Sequence, residues 1–486
     1  MSELFLGIDL GTGGVRVLAV RGDGQVIASH SVAFDKRESK LPAGWHEQDA
    51  QDWWQVAKQA IAGVVEQLKT QGQSLDAIKA LAVDGTSGTV VGLDEAGEPV
   101  RPAMMYNDGR AVEEAKELAA LAAREPQSPS GTIAASYAIA KVRWLATHET
   151  EAVHKVRCFV HQADYIVGKL TGERAVTDYS NALKMGFDLV TGTWPAWLGG
   201  LPGICERLPK VVAPGSYIAS LREEVARELG LPAKVQVIAG ATDGTAGFLA
   251  SGARHIGDDN TTLGTTLVFK RLSDKPVFDP RGLIYCHKLP GAGEAKEMWL
   301  PGAASNTGCE WMNAIKDNVK KFDADAEGRL PCDVLAYPLA RAGERFPILA
   351  PQAQGFIERD VDHETEYAAK LQGVALVERL CYEALDAATG AVGKDVYATG
   401  GGSHSDIWMQ LRADVTGRVY HRPSVPESAF GAAVLAAAGS HHPDLPAAIG
   451  AMVRIDRTFE PDNSRRAKYD ELFTRFKSLL RERLEA

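Results

Sequence analysis

A chain of 486 residues has room, at roughly 150 residues per domain, for two or three domains with cores of their own. Its 45% hydrophobic and 24% charged residues exclude a disordered or fibrous polymer. With 53 Lys and Arg against 63 Asp and Glu the net charge is −10, which argues against broad binding to nucleic acid or anionic membrane but not against a small anion held by backbone N–H groups.

In chain order, Leu4, Phe5, Leu6 and Ile8 predict a buried strand that stops at Asp9. Residues 15–20 and 25–32 predict two more strands about the Asp23-Gly24 pair, whose chemistry is that of a tight hairpin turn. From Asp49 as N-cap, Trp53, Trp54, Ala57, Ala60, Ile61, Val64, Val65 and Leu68 recur at helical spacing as far as Gly72. Residues 77–83 predict a buried strand running into Asp84, Gly85, Thr86, Ser87, Gly88 and Thr89, and residues 90–93 predict another. The Pro- and Gly-rich stretch 199–215 precedes a strand at 235–239, which delivers Thr242 and Asp243 to a small-residue helix. A boundary between an N-terminal lobe, 1–245, and a C-terminal lobe, 246–486, is expected there.

The second half repeats the logic. A Gly/Thr turn over 261–266 leads to a strand at 267–270, and Leu-Gly-Thr at 10–12 recurs at 263–265 in the same hairpin context. A strand at 396–398 enters Gly400, Gly401 and Gly402, a helix starts near Ser405, and an Ala-rich helix covers 427–439. Residues 317–328, charged and poor in apolar groups, read as a solvated loop or surface helix. Cys158, Cys205, Cys286, Cys309, Cys332 and Cys381 show no zinc-ligand spacing and read as reduced thiols. The N-terminus lacks a positive leader, and the longest weakly polar stretch, 429–439, is about half of the ~20 residues a membrane helix needs, so a cytoplasmic protein is expected.

Several segments carry chemistry. At residues 9–14 three glycines in four positions let the backbone turn sharply and present N–H donors to a polyphosphate, and Asp9 adds a hard carboxylate suited to Mg²⁺. The same pattern also makes a hairpin with no ligand. Gly264, Thr265 and Thr266 form a second clamp of this kind, and Gly400 to Gly402 either admit a flat ligand or phosphate or simply allow close strand–helix packing. Asp243, at the C-terminal end of a strand, is placed to take the proton of a hydroxyl attacking phosphorus, or to cap the helix after it. Asp84, Thr86, Ser87 and Thr89 suit sugar hydroxyls or a turn. Near Tyr106, Asn107 and Arg110, Asp108 reads as a helix cap. Trp53, Trp54 and Trp144 read as core or interface, and His46, His161, His287 and His404 show no metal-site spacing.

Together, D-L-G-T at 9, T-D-G-T at 242, T-L-G-T-T at 262 and G-G-G-S-H-S-D-I-W at 400 resemble the phosphate and adenosine segments of the actin, heat-shock chaperone and sugar kinase ATPases. G-W-H-E-Q-D-A-Q-D-W-W at 44, Y-N-D-G-R-A at 106, Q-A-D-Y-I at 162, L-T-G at 170 and E-S-A-F-G-A-A-V-L-A-A-A-G at 427 resemble the FGGY carbohydrate kinases over nearly the whole chain. D-G-T-S-G-T at 84, D-Y-S-N-A-L-K at 178, Y-C-H-K-L at 285, P-G-A-A-S-N-T-G at 301 and R-A-G-E-R-F-P-I at 341 are most similar to the D-ribulose kinase branch, some of whose members are labelled xylulose kinases. The familiar xylulokinase has Met-His, and glycerol kinase Arg-Glu, where this chain has Thr86 and Ser87.

The resemblance implies an α/β fold of two ribonuclease-H-like lobes with a central cleft. It implies ATP and Mg²⁺ as cofactors and phosphoryl transfer to a terminal hydroxyl of a ketopentose, D-ribulose first. Xylulokinase or polyol kinase is the alternative within the family, and an actin-like or chaperone-like ATPase the alternative outside it. The expected partner is a small-molecule sugar, with no nucleic acid and no membrane, and the chain is expected to be a monomer or homodimer. Asp243 would be the base, Asp9 the Mg²⁺-linked carboxylate, and Asp84, Ser87 and Asn107, with Asp9 and Asp243, the sugar ligands. Thr12, Gly13, Gly264, Thr265, Gly302, Asn306, Gly401, Gly402, Ser405 and Trp408 would contact the nucleotide, Trp408 close to the adenine. The chain departs from the pattern at Ser405, where the branch tends to have Asn, and at His404, where it has Lys or Arg. It departs again at Ala138, where the first family signature, with Lys141 and Trp144, wants Pro, Ser or Thr.

Overall fold

The computed structural model describes residues 3–35, 40–124, 133–277, 279, 281–292, 295–314 and 319–484. Met1 and Ser2 of the N-terminal reading, and residues 317–318 of the charged stretch, lie outside them. The rest of that stretch forms the helix Val319–Glu327. By packing, the chain divides into one unit of Met1–Ala250, His287–Glu297 and Glu427–Val453, and a second of Ser251–Cys286, Met298–Pro426 and Arg454–Ala486. This departs from a single cut after residue 245, because two later segments return to the first unit.

The first unit is built on a six-stranded sheet in the order Tyr217–Ser220, Gln236–Ile238, Ile78–Gly85, Leu4–Leu10, Gly14–Arg21 and Val26–Ala33. Leu4–Leu10 pairs antiparallel with Gly14–Arg21 and parallel with Ile78–Gly85, which in turn pairs parallel with Gln236–Ile238. Parallel strands must be covered on both faces, which explains their nearly unbroken apolar runs. On one face Leu4, Leu6, Ile8 and Leu10 pack with Trp53, Ala57, Ile61, Val64 and Leu68 of the helix Ala50–Thr70. Asp49 caps that helix by accepting the Gln51 N–H at 2.9 Å.

Side chains alternate along a strand, so Gly7 faces the other way. It meets the Ala-rich helix Ser428–Ala438: a Cβ on Gly7 would lie 1.7 Å from the Ala429 carbonyl oxygen. One on Gly431 of that helix would lie 1.8 Å from the Ala246 carbonyl oxygen, in the helix Asp243–Leu249. Backbone touches backbone at both places, and this is what draws residues 427–453 into the first unit.

The second unit holds a seven-stranded sheet in the order Tyr285–Ala292, Ala295–Ser305, Leu267–Arg271, Asp259–Leu263, Val396–Thr399, Tyr420–Pro423 and Ile455–Phe459. Asp259–Leu263 pairs antiparallel with Leu267–Arg271 and parallel with Val396–Thr399, as Leu4–Leu10 does with its own neighbours. The repeated Leu-Gly-Thr thus joins antiparallel strands twice, but the second turn is shorter than expected because residues 261–263 belong to the strand. All six cysteines are free thiols. Among the described residues no helix is long and apolar enough to cross a membrane.

Gly7→Ala and Gly431→Ala should each lower the melting temperature by roughly 2–6 °C, as expected for overpacking by about 1–3 kcal/mol in a unit of this size. Gly199→Ala, where an added Cβ meets nothing within 4 Å, should leave it within about 1 °C. Thermal denaturation of the three variants checks this.

Candidate active site

Three carboxylates gather at the C-terminal ends of adjacent parallel strands, the position where open α/β sheets bind ligands. Asp9 and Asp84 are direct register partners, and the next residue, Gly85, bridges to Thr242 in parallel fashion, bringing Asp243 alongside. Asp84 is fully buried. Burial and the charges of Asp9 and Asp243 hold its pKa well above the ordinary carboxylate range. Neither of its oxygens has a hydrogen-bond donor, so a proton shared with Asp9 is the internal means of relieving it. Burial also raises the pKa of Asp9, opposed by that shared proton and by Arg16, which is paired with Glu427 at 2.6 Å. Asp9 and Asp84 offer hard oxygens of the sort a hydrated Mg²⁺ takes one or two at a time. Among the described residues no group of three His, Cys, Asp or Glu forms a closed cage.

Asp243 is the first residue of the helix Asp243–Leu249, and Thr242 occupies the N-cap position. The N-cap position considered for Asp243 is therefore its neighbour's, and Thr242, in extended conformation, makes no side-chain capping bond there, its hydroxyl lying 2.9 Å from that of Thr245. The Asp243 carboxylate accepts the Gly244 N–H at 2.6 Å and stays half-buried.

The turn after Asp84 separates its polar groups by job. Thr86 donates through its N–H and Oγ1 to Gln162 Oε1, at 3.0 and 2.6 Å. The Thr89 and Thr86 hydroxyls are 2.6 Å apart, and Thr89 Oγ1 accepts the Tyr106 N–H at 3.0 Å. Those two threonines build the turn. Ser87 Oγ is buried without a partner, as is the Asp84 carboxylate, so these two are the groups with hydrogen bonds still to make.

Buried lysines that residue spacing did not single out hold the turn from outside. Lys141 donates to Gly88 O, Met105 O and Ser136 O at 2.9, 2.6 and 2.9 Å, and burial brings its pKa down to about 7. Lys184 donates to Ser87 O at 3.1 Å. The available signs were Lys141 in the first family signature and Lys184 at the end of D-Y-S-N-A-L-K. Asn107 is exposed on the loop that Lys141 fastens at Met105. Asp108 does not cap the helix Val112–Ala122, whose N-cap is Ala111. Instead it accepts from the His46 N–H and from Arg110, whose guanidinium stacks 3.6 Å from the Trp45 ring. Thr12 and Gly13 are exposed on their hairpin, tied through their carbonyls to Gln48 and Phe34. A Cβ on Gly13 would meet nothing within 4 Å.

The remaining candidates lie in the second unit. The turns at 264–266 and 400–402 follow neighbouring parallel strands and are in contact, since a Cβ on Gly400 (φ 84°) would strike Leu263 O at 2.5 Å. Gly402 would strike the Leu263 side chain, also at 2.5 Å, whereas Gly401 and Gly264 face open space. Gly302 is a packing glycine within Ala295–Ser305, its Cβ position 2.6 Å from Phe269 O. Asn306 ties a loop, donating from N to Glu344 and from Nδ2 to Gly343 O. Ser405 caps the helix Asp406–Thr416 by accepting the Trp408 N–H. Trp408 itself is 1% exposed, with its indole N–H on Leu371 O. The indole belongs to the core and not to an adenine-facing surface, since helical periodicity from Ser405 turns it inward.

Residues 4–250 match the N-terminal domain, and residues 260–440 the C-terminal domain, of the FGGY family of carbohydrate kinases. The chain belongs to that family. As an FGGY kinase it is an ATP-dependent enzyme acting on a small-molecule sugar, which sets aside an actin-like or chaperone-like ATPase. It is 28% identical over 502 residues to the xylulose kinase of Escherichia coli (strain K12), with 99% of each chain covered. It is 25% identical over 506 residues to the gluconokinase of Bacillus licheniformis, with 99% of this chain and 96% of that one covered. The solved xylulose kinase from Rhodospirillum rubrum matches with a TM-score of 0.84 at 27% identity, covering 98% of both chains. A xyloylose kinase from Brucella ovis matches at 0.86 and 26%, again with 98% of both. The two-domain α/β fold is shared with these kinases.

The raised pKa of Asp84 has a definite sign for this FGGY kinase. Its folded value lies above the 3.8 of the free side chain, so its contribution to stability is full below pH of about 4 and is lost as pH rises through the folded value. Asp84→Asn should remove that loss and raise the melting temperature of the ligand-free protein at neutral pH by about 2–4 °C, while weakening sugar binding. Melting curves from pH 4 to 8 should show the variant's advantage growing with pH.

Proposed function

We propose that this FGGY kinase transfers the γ-phosphoryl group of ATP to a terminal hydroxyl of a ketopentose, D-ribulose being the preferred acceptor. The observation that carries the reading is the pair of unmet hydrogen-bonding groups, Asp84 and Ser87 Oγ, at the strand ends beside Asp243. A polyol-like acceptor meets them with its hydroxyls, donating to the carboxylates and exchanging a hydrogen bond with Ser87. Asn107 reaches the same acceptor from its exposed loop.

Asp243 acts as base, accepting at a carboxylate oxygen the proton of the attacking hydroxyl. Asp9, with Asp84 beside it, would hold Mg²⁺, which would offset charge on the phosphates. Thr12 and Gly13 are suited to phosphate through backbone N–H groups and a threonine hydroxyl; within the second unit, taken by itself, Gly264, Thr265 and Gly401 offer the same kind of contact to a nucleotide. Ser405 contributes by capping the helix whose N-terminus follows Gly401. Gly302, Asn306 and Gly402 support these turns through packing.

For the acceptor, the small Thr86-Ser87 pair stands where the familiar xylulokinase has Met-His, which favours D-ribulose. A second reading, D-xylulose, is favoured by the names of the relatives in Escherichia coli and Rhodospirillum rubrum. ADP release measured over D-ribulose, D-xylulose, L-ribulose, gluconate, glycerol and ribitol separates the two. We expect kcat/KM for D-ribulose to exceed the rest by about 10-fold or more, since unpaired buried polar groups discriminate strongly; D-xylulose in first place establishes the second reading. Asp243→Asn should cut turnover by on the order of 10² or more with both ligands still bound. Ser87→Ala should raise KM for the sugar and leave KM for ATP within about 2-fold.

A further inference from the structure

The segment D-Y-S-N-A-L-K at 178–184 has no part in the chemistry above, yet it is bonded to the residue before the base and to the sugar turn. At its start the buried Asp178 carboxylate accepts from Ser180 N and Oγ at 2.7 and 2.5 Å, and from Asn181 N and Nδ2 at 3.2 and 2.6 Å. Its acceptors are thus spent within its own segment, which locks the short helix Tyr179–Ala182. The Ser180 hydroxyl, its proton committed to Asp178, has a lone pair aimed outward and accepts the Thr242 N–H at 2.9 Å. Thr242 is the residue immediately before Asp243.

At the other end, Lys184 Nζ donates to the Ser87 carbonyl at 3.1 Å. Lys141 takes the next carbonyl, Gly88 O, at 2.9 Å. Two largely buried ammonium groups therefore grip consecutive peptide carbonyls. The turn between them needs a glycine with φ 96°, and a Cβ at that glycine would lie 3.1 Å from Lys184 Cδ and 2.9 Å from Ser136 O. The contact is too close for the lysine to be a loosely tethered surface group. Burial disfavours the Lys184 ammonium and Asp243 is the charge that favours it, so lysine and base also sense each other electrostatically.

We propose that residues 178–184 form a strut that sets the spacing between the base and the sugar-binding serine, Ser180 positioning Asp243 through Thr242 and Lys184 positioning Ser87. Both are positioning residues, acting through groups that touch the substrate. The two ends carry different kinetic signatures. Displacing the base costs turnover once sugar is bound, whereas displacing Ser87 weakens sugar capture. The proposal rests on the assignment of Asp243 and Ser87 given above.

The experiment is steady-state kinetics of the full chain, with the best acceptor from the substrate panel and with ATP, on Ser180→Ala, Lys184→Met and Lys184→Arg, together with Asp243→Asn and Ser87→Ala. Ser180→Ala should lower kcat about 10-fold with KM for the sugar within about 2-fold of the parent. Lys184→Met should raise KM for the sugar about 10-fold with KM for ATP within about 2-fold, and Lys184→Arg, which keeps a donor for Ser87 O, should recover most of the loss. Parent values of kcat and KM in Ser180→Ala and Lys184→Met overturn the strut. So does a fall in kcat that merely follows the folded fraction seen by circular dichroism, with no split between kcat and KM and no recovery in Lys184→Arg. Parent-like turnover in Asp243→Asn overturns the site assignment and the strut with it, whereas an inactive Asp243→Asn beside a parent-like Lys184→Met overturns the strut alone.

Discussion

The contact on which the first unit depends is made without side chains. Gly7 lets the strand Leu4–Leu10 lie directly against the peptide backbone at Ala429, and Gly431 lets the same helix lie against the backbone at Ala246. A helix of alanines with two glycines can approach a strand and a second helix together because nothing projects from it. The strand ends in Asp9 and the second helix begins with Asp243. One close-packed element, contributed from far along the chain, thus locates two of the three carboxylates, and Glu427, the residue before that helix, pairs with Arg16 beside Asp9. Chain order and packing part company here because the helix can bury its featureless surface nowhere more closely than on glycine.

Buried carboxylates are satisfied in different ways. In the second unit Glu378 and Asp259 are paired with arginines. Glu378 and Arg412, both fully buried, exchange two bonds at 2.6 and 2.9 Å, and Asp259 is held by Arg271 and Arg418. These are structural ion pairs, in which loss of one partner strands the other at a cost of about 3–5 kcal/mol. In the first unit Asp84 is as deeply buried but faces two other acids and has no cation bonded to it. Burial without pairing is costly, and it persists where the missing partner comes from outside the chain. That contrast marks Asp84 as part of a binding site more clearly than its position in a motif does.

Much of this was legible in the sequence where the signal is local. Apolar runs ending at Asp9, residue 83 and residue 239 mark the strands that prove parallel, and turn chemistry marks the hairpins, because strand ends and turns are decided by adjacent residues. What depends on distant packing was not legible. Trp408 has the spacing of a ligand contact and of a core residue alike, and only the neighbouring helix His363–Thr389, which supplies Leu371 O, decides between them. The resemblance implies nucleotide contacts for Gly302 and Gly402, with close packing the other reading of Gly402, and each is required by a neighbour already in place, the Phe269 carbonyl and the Leu263 side chain. A glycine in sequence is an absence of side chain, and which atoms use that space is a property of the fold. Lys141 and Lys184 stand in family-like motifs, but their role is not legible there: a lysine is ordinarily a surface residue, and its value here lies in backbone carbonyls that come together only once residues 87, 88, 105 and 136 are assembled.

Specificity among similar sugars then becomes a question of rigidity as much as of residue type. The Ser87 side chain can donate one hydrogen bond and accept up to two, and a serine free to rotate and drift would greet several hydroxyl configurations equally. Thr86 and Thr89, which could have been further ligands, are consumed in tying the turn to Gln162 and Tyr106, and the carbonyls of Ser87 and Gly88 are gripped by lysines. The peptide carrying the serine is therefore fixed by five separate bonds, leaving the hydroxyl as the one adjustable group. A site of this kind discriminates by leaving Ser87 or Asp84 unpaired when a hydroxyl has the wrong configuration, a penalty of about 1–3 kcal/mol for each buried group left unmet. The same rigidity explains why chemistry and recognition share one support: a turn able to relax toward a poorer substrate would also change its distance from Asp243.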